Sequence, residues 1–134
     1  MKRLEYSRFK SISSCEVIEM DNELEQIRDI WMDAFFAGHY DVLRRYERED
    51  FKVVYEQQGR VESNYTRYDL IAHAVQNGVW KPQIPDVEFE NYEFNRDQTE
   101  CHIQIGLESS KQKIQEIWLY ENEWKISELR FLKD

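Results

Sequence analysis

From Val87 onward the apolar residues recur at every second position in four consecutive segments: Val87 to Asn95, Cys101 to Leu107, Ile114 to Tyr120 and Trp124 to Phe131. Period two is the mark of strands whose side chains alternate between faces, so almost the whole C-terminal half is predicted to be an antiparallel meander. The segments are not equivalent. Cys101, Ile103, Ile105 and Leu107 share one face with His102 and Gln104 on the other, whereas Ile114, Trp118 and Tyr120 back onto an equally apolar Ile117 and Leu119. A strand apolar on both sides needs two covers. Helices can supply one, and a second copy of the chain against the outer sheet face is expected to supply the other, giving a homodimer. Within the first segment the parity slips from Val87 and Phe89 to Tyr92 and Phe94, as a bulge at Glu90 or Asn91 would produce, and bulges bend sheets.

The N-terminal half keeps a different period. Leu24, Ile27, Ile30, Trp31, Ala34 and Phe35 recur at three and four, which predicts one buried helical stripe, capped by Asp21 or Asn22 and stopped at Gly38. Asp41 is placed to cap a short second helix with Val42, Leu43 and Tyr46 inward, before Phe51, Val53 and Tyr55 begin a strand. Gln57-Gln58-Gly59 reads as a turn into a brief partner near Val61. A third helix follows, with Thr66 and Asp69 as a capping box, Tyr65 and Leu70 as a hydrophobic staple, and Leu70, Ile71, Ala74 and Val75 as its buried face up to Gly78. Trp80 to Pro85 carries both prolines and reads as a loop. Three N-terminal helices packed on a strongly bent antiparallel sheet make an α+β fold.

A chain of 134 residues holds one domain, expected over 21–134 behind an N-terminal extension over 1–20. Apolar residues at 41% and aromatics at 14% exclude disorder, and no run reaches the roughly 18 apolar residues of a membrane span. The basic start is not followed by a continuous apolar run, so no secretion signal is read and the cytoplasm is the expected compartment. Cys15 and Cys101 fit buried thiols better than a disulfide framework. A net charge of −9 repels phosphate backbones and argues against nucleic-acid binding. Arg44, Arg45, Arg48 and Lys52 come nearest to a basic stripe, but Glu47, Glu49 and Asp50 interleave with them as on a salt-bridged face. Acidity gathers instead over Asp86 to Glu100, which suits either plain solvation or a basic protein partner.

The order of elements resembles the nuclear transport factor two-like superfamily, of the SnoaL-like and ketosteroid-isomerase-like kind. Three stretches carry the likeness: Phe36-Ala37-Gly38-His39-Tyr40-Asp41 at the end of the first helix, Asp50-Phe51-Lys52-Val53-Val54 at the first strand, and Asn122-Glu123-Trp124-Lys125-Ile126 at the terminal hairpin. The resemblance implies a cone with an internal pocket between the helices and the concave sheet, and dimers paired sheet to sheet. It leaves function open, since isomerases, dehydratases, cyclases, adaptors and ligand binders share this fold.

In the isomerases of that superfamily a carboxylate base works with an oxyanion-binding tyrosine and a second acid. Counted from Gly38, the tyrosine position is Trp31, the base position is Tyr55, and the second acid finds a counterpart in Glu116. Tyrosine, with a pKa of about 10, is a poor base at neutral pH, so isomerase chemistry is disfavoured and Glu116 is the single weak catalytic candidate. His39 reads as turn punctuation, His73 as the rim of a helix face and His102 as outer sheet face. No histidine has a ligand partner at metal-site spacing and no cofactor motif is present, so no metal and no cofactor are expected. The leading expectation is a non-catalytic homodimer holding a small, partly apolar ligand in a pocket lined by Phe35, Tyr55, Tyr65, Trp80, Cys101, Ile103, Glu116, Trp118 and Tyr120. The alternatives are a SnoaL-like isomerase, dehydratase or cyclase using Glu116 and Tyr55, and a protein-binding adaptor or immunity protein using the acidic surface.

Overall fold

The computed structural model describes residues 15–133, with the side chains of the first helix described from Glu23 on. Its elements are α1 (Cys15–Ala37), α2 (Tyr40–Tyr46), β1 (Glu47–Tyr55), a single 3-10 turn (Glu56–Gln58), β2 (Arg60–Ser63), α3 (Asn64–Gln76), β3 (Val87–Phe94), β4 (Glu100–Leu107), β5 (Lys113–Glu121) and β6 (Glu123–Phe131). All six strands form one sheet in the order β2-β1-β6-β5-β4-β3. The C-terminal meander is as expected, but the sheet is mixed rather than wholly antiparallel, because β1 pairs in parallel with β6. A period-two pattern records which face a side chain takes and nothing of strand direction. The α+β architecture, helices first and sheet second, stands.

Helix α1 begins at Cys15, so Asp21 and Asn22 lie inside it rather than capping it. Its stripe buries Leu24, Trp31 and Ala34 as the spacing predicts, but Ile30 turns outward and Arg28 takes the inward position between Leu24 and Trp31. The helix stops at Gly38, where φ is +77°. There the Gly38 and His39 N–H groups donate to the carbonyls of Phe35 (3.1 Å) and Ala34 (2.8 Å), which satisfies acceptors the helix end would otherwise leave open. Trp80 adds its indole N–H to the Phe35 carbonyl at 2.8 Å, tying the proline loop to this helix end. Asp41 sits in the first turn of α2 and not at its cap, which is the exposed His39.

Helix α3 starts earlier than the Thr66 and Asp69 pattern indicates. Ser63 is its cap, accepting from the Thr66 N–H at 3.3 Å. The buried face is rotated accordingly: Asn64, Arg67, Tyr68 and Ile71 go inward, while Leu70 (58% exposed) and Val75 stay in solvent. Polar side chains can hold that face because their partners are waiting on β1, where the Asn64 amide donates to the carbonyls of Arg48 and Glu49.

In the meander the bulge falls between Val87 and Phe89, earlier than the expected Glu90 or Asn91. It therefore brings Glu90 onto the inner face with Tyr92 and Phe94. A second irregularity, between Ile117 and Trp118, skips Ser127 on β6 and bends the middle of the sheet. The concave side packs Trp118, Trp124, Ile103 and Ile126 against Leu24 and Phe51, all essentially fully buried, each contributing roughly 1.5–3 kcal/mol.

Two glycines separate backbone strain from crowding. Gly38 and Gly59 both have positive φ (77° and 61°), but a Cβ on Gly38 would lie 2.6 Å from Val75 Cγ2 whereas one on Gly59 meets nothing within 4 Å. Gly59→Ala is expected to cost about 1–2 kcal/mol from the left-handed backbone alone, and Gly38→Ala distinctly more, as read from urea unfolding midpoints.

Candidate functional site

The register of the sheet arranges its concave face in three transverse rows. The first holds Phe94, Cys101, Trp118, Ile126 and Glu47; the second Tyr92, Ile103, Glu116, Leu129 and Val53; the third Glu90, Ile105, Ile114, Phe131 and Tyr55. Over the first row the space is closed by the tryptophans and Leu24. Towards the third row the covering elements among the described residues are the last turns of α1, with Met32, Phe35 and Phe36, and the loop carrying Gln83 and Pro85. A cavity of about 250 Å³ remains there. From the sheet its wall takes Val87, Ile105, Leu107, Ile114, Leu129 and Phe131, and at its floor stand Arg28, Glu90 and Glu116.

That floor is a buried ion cluster. Arg28 (1% exposed) donates from Nε to Glu116 Oε1 at 2.6 Å and from Nη2 to Glu116 Oε2 at 2.9 Å, a two-pronged pair. Its Nη1 donates to Glu90 Oε2 at 3.1 Å and to the Tyr92 hydroxyl at 3.3 Å. Trp118 Nε1 completes the shell of Glu116, donating to Oε1 at 2.8 Å. Burial alone would pull the guanidinium pKa down, but the Glu116 charge and hydrogen bonds, with smaller contributions from Tyr92 and Glu90, hold it well above its ordinary value. Arg28 is a fixed cation.

A second buried polar cluster lies on the other side of Trp31, around Glu47. Glu47 accepts from Trp31 Nε1 (2.8 Å), the Tyr68 hydroxyl (2.7 Å) and Arg67 Nη1 (3.1 Å). The Trp31 and Trp118 rings meet edge to face with centroids 5.6 Å apart, so each indole points its N–H at a different glutamate. The two clusters thus share one aromatic spacer.

The nine residues expected to line the pocket do not gather at one place. Phe35 and Glu116 are in the cavity wall. Cys101, Ile103 and Trp118 have the right parity but pack in the closed part of the sheet, and Tyr120 leans on Trp124 beside them. Trp80 stands behind the wall, edge-on to Phe35 at 5.2 Å. Tyr55 stacks on Phe131 at 5.2 Å under the guanidinium of Arg60 and borders a separate pocket of about 130 Å³ with Gln57, Gln58 and Gln112. Tyr65, 59% exposed, sits on a surface cleft, because α3 is rotated. The expected set takes its strand residues from the inward face, with Cys101, Trp118 and Tyr120 towards the closed end of the sheet.

What it lacked was Arg28 and Glu90. Both carry a sequence signal: Arg28 lies four after Leu24 and three before Trp31, and Glu90 has the inward parity of Tyr92 and Phe94. The isomerase counterparts are committed elsewhere, since the Trp31 N–H is held by Glu47, Tyr55 lines another pocket, and both Glu116 oxygens hold donors. His39 and His73 are exposed, and His102 lies on the outer face with Nε2 at 2.6 Å from Glu100. Among the described residues no group of three or more His, Cys, Asp or Glu is arranged to hold a metal ion.

Arg28→Met is expected to lower stability by about 3–5 kcal/mol, because it takes the guanidinium away from two buried carboxylates, while Trp31→Phe, which removes one of three donors to Glu47, costs about 1–2 kcal/mol. Guanidinium unfolding of the two variants distinguishes them. Burial, then the hydrogen bond to Glu47, raise the Tyr68 pKa well above the ordinary tyrosine value. A folded pKa raised above the unfolded one gives stability that is complete below the unfolded pKa, about 10, and lost as pH rises through the folded value. Stability is therefore expected to fall above about pH 10, and Tyr68→Phe to flatten that slope in alkaline unfolding curves.

No family model matches the chain, and no curated protein does. Solved structures do. A nuclear transport factor two-like (NTF2-like) protein from Cytophaga hutchinsonii superposes with a TM-score of 0.63 at 9% identity, covering 91% of this chain and 100% of that one. An NTF2-like protein from Rhodospirillum rubrum, described as of unknown function in nutrient uptake, gives 0.61 at 13% identity over 81% and 95%. A de novo designed protein with a curved β-sheet gives 0.52 at 12% identity over 83% and 100%. At these identities the likeness concerns architecture, and it agrees with the three helices and bent six-stranded sheet described above: the chain has the nuclear transport factor two-like fold.

Proposed function

We propose that the protein is a binding module that holds a small, largely apolar ligand in its cone and does not carry out isomerase-type chemistry. The observation that carries this reading is the cavity of about 250 Å³, walled by hydrocarbon and aromatic side chains above a floor of buried charge. An apolar pocket with a few convergent polar groups is the usual form of a ligand site, and this volume lies just below the ~300 Å³ at which drug-sized sites begin, so the ligand is small. The assignment of Glu116 as acid or base is the weaker reading. Its oxygens accept three hydrogen bonds from Arg28 and Trp118, and Tyr55 is not beside it. The adaptor reading loses part of its acidic surface, because Glu90 is buried against Arg28 and Glu100 is engaged by His102.

The same proposal includes pairing of two copies through the outer sheet face, supported by Ile117 and Leu119, half-buried apolar side chains on that face. No helix among the described residues is long and apolar enough to cross a membrane. The cytoplasm goes with this reading, since a two-cysteine chain of this length has no disulfide framework.

Phenethyl alcohol, a neutral apolar probe, is expected to bind saturably in calorimetry, and Leu129→Phe, which fills the cavity, to weaken that binding about tenfold or more while leaving the fold intact by circular dichroism. Unchanged binding in the filled variant would place the probe elsewhere. Light scattering is expected to return twice the 16.4 kDa of one chain, and Ile117→Lys to return a single chain.

A further inference from the structure

Phe131 belongs to two spaces at once. On one side it closes the cone cavity of about 250 Å³, beside Leu129 and its cross-strand neighbour Ile114. On the other it borders the pocket of about 130 Å³ where β1 and β6 end and β5 begins, among Tyr55, Leu132 and the amides of Gln57, Gln58 and Gln112. Among the described residues it is the one that lines both spaces. The ring is also held in place. It stacks on Tyr55 with centroids 5.2 Å apart and planes 5° from parallel, and the Arg60 guanidinium lies 4.0 Å from the centroid of the Tyr55 ring. Because β2 and β6 flank β1, with Arg60 and Phe131 both in register with Tyr55, the three flat groups form one stack across three strands. Arg60 anchors its far end, donating to Gln58 Oε1 at 3.2 Å and to Glu62 Oε2 at 2.8 Å.

We infer that Phe131 sets the length of the ligand, as a partition that ends the cone against a second, amide-lined pocket. The inference rests on the ligand-binding reading of the cone and adds a size class. A cavity of about 250 Å³ equals about eight waters of liquid, which matches a single ring on a short chain. A longer body meets the Phe131 ring, and the stack behind it resists displacement. With the ring removed the two spaces join, so a chain lying in the cone extends towards Gln57 and Gln58, whose amides both donate and accept hydrogen bonds.

Two neutral probes that differ in length, phenethyl alcohol and 6-phenyl-1-hexanol, titrated calorimetrically into the full chain, test this. The wild type is expected to bind the short alcohol about tenfold more tightly than the long one, and Phe131→Ala to reverse the order, because the added methylenes gain burial in the joined space. Should Phe131→Ala fail to fold by circular dichroism, Phe131→Leu, an aliphatic wall of shorter reach, is expected to narrow the wild-type preference about threefold. Ile105→Ala enlarges the same cavity two strands away from Phe131 and is expected to keep the short alcohol first. Long alcohol binding the wild type as tightly as the short one overturns the partition and leaves the ligand-binding reading standing. So does an unchanged preference in the folded Phe131 variant, or the same reversal in Ile105→Ala. No binding of either alcohol to the wild type overturns both readings.

Discussion

The guanidinium of Arg28 joins the helical layer to the sheet at the point where the cone is about to open. It comes from the second half of α1 and reaches β3 through Glu90 and Tyr92 and β5 through Glu116, so one side chain fixes the helix against two strands at once. Desolvating three ionised groups is expensive, and their mutual attraction in a low-dielectric site offsets that cost only when the geometry is good. Apolar residues of the same volume could hold the layers equally well. What they could not do is set the helix at one height, because hydrocarbon contacts are non-directional whereas a two-pronged arginine pair fits in one register. The cavity exists because α1 is held there and its last turns reach beyond the cluster, spanning the wide end of the sheet without filling it.

Trp31 sits between this cluster and the one around Glu47. Its ring packs on Trp118 and its N–H fixes Glu47, which in turn binds Tyr68 and Arg67 of α3. Helices α1 and α3 are therefore positioned through the same carboxylate on β1. The reading of the chain's function depends on these polar clusters more than on the fold.

Much of the architecture was legible in the sequence because periodicity reports which face a residue takes. Leu24, Trp31 and Ala34 on one side and Cys101, Ile103 and Ile105 on the other were assigned to the core by spacing alone and are buried. Strand direction leaves no periodic trace, hence the unforeseen parallel pairing of β1 with β6. The site was less legible for a different reason. A search for apolar stripes passes over charged residues at core positions, and Arg28, Glu90 and Glu116 occupy such positions on three separate elements, meeting one another only once the chain is folded. Which end of the strands stays open depends on how far α1 and the proline loop reach, a distance that no local pattern contains. On α3 the failure was local: Leu70 and Tyr65 look like a staple, but partners on β1 for Asn64 and on Glu47 for Arg67 and Tyr68 rotate the helix the other way.

The parallel pairing also orders events during synthesis. β6 lies between β1 and β5, so the first strand to leave the ribosome can pair with β2 but has no route to the rest of the sheet until the last described strand is made. Glu47, with its donors from α1 and α3, must wait in a half-built structure for Ile126 to arrive beside it. Until β6 pairs, the β1-β2 hairpin and the β3-β5 meander share no strand hydrogen bonds, and among the described residues the two parts of the sheet are held together only through the helices above them.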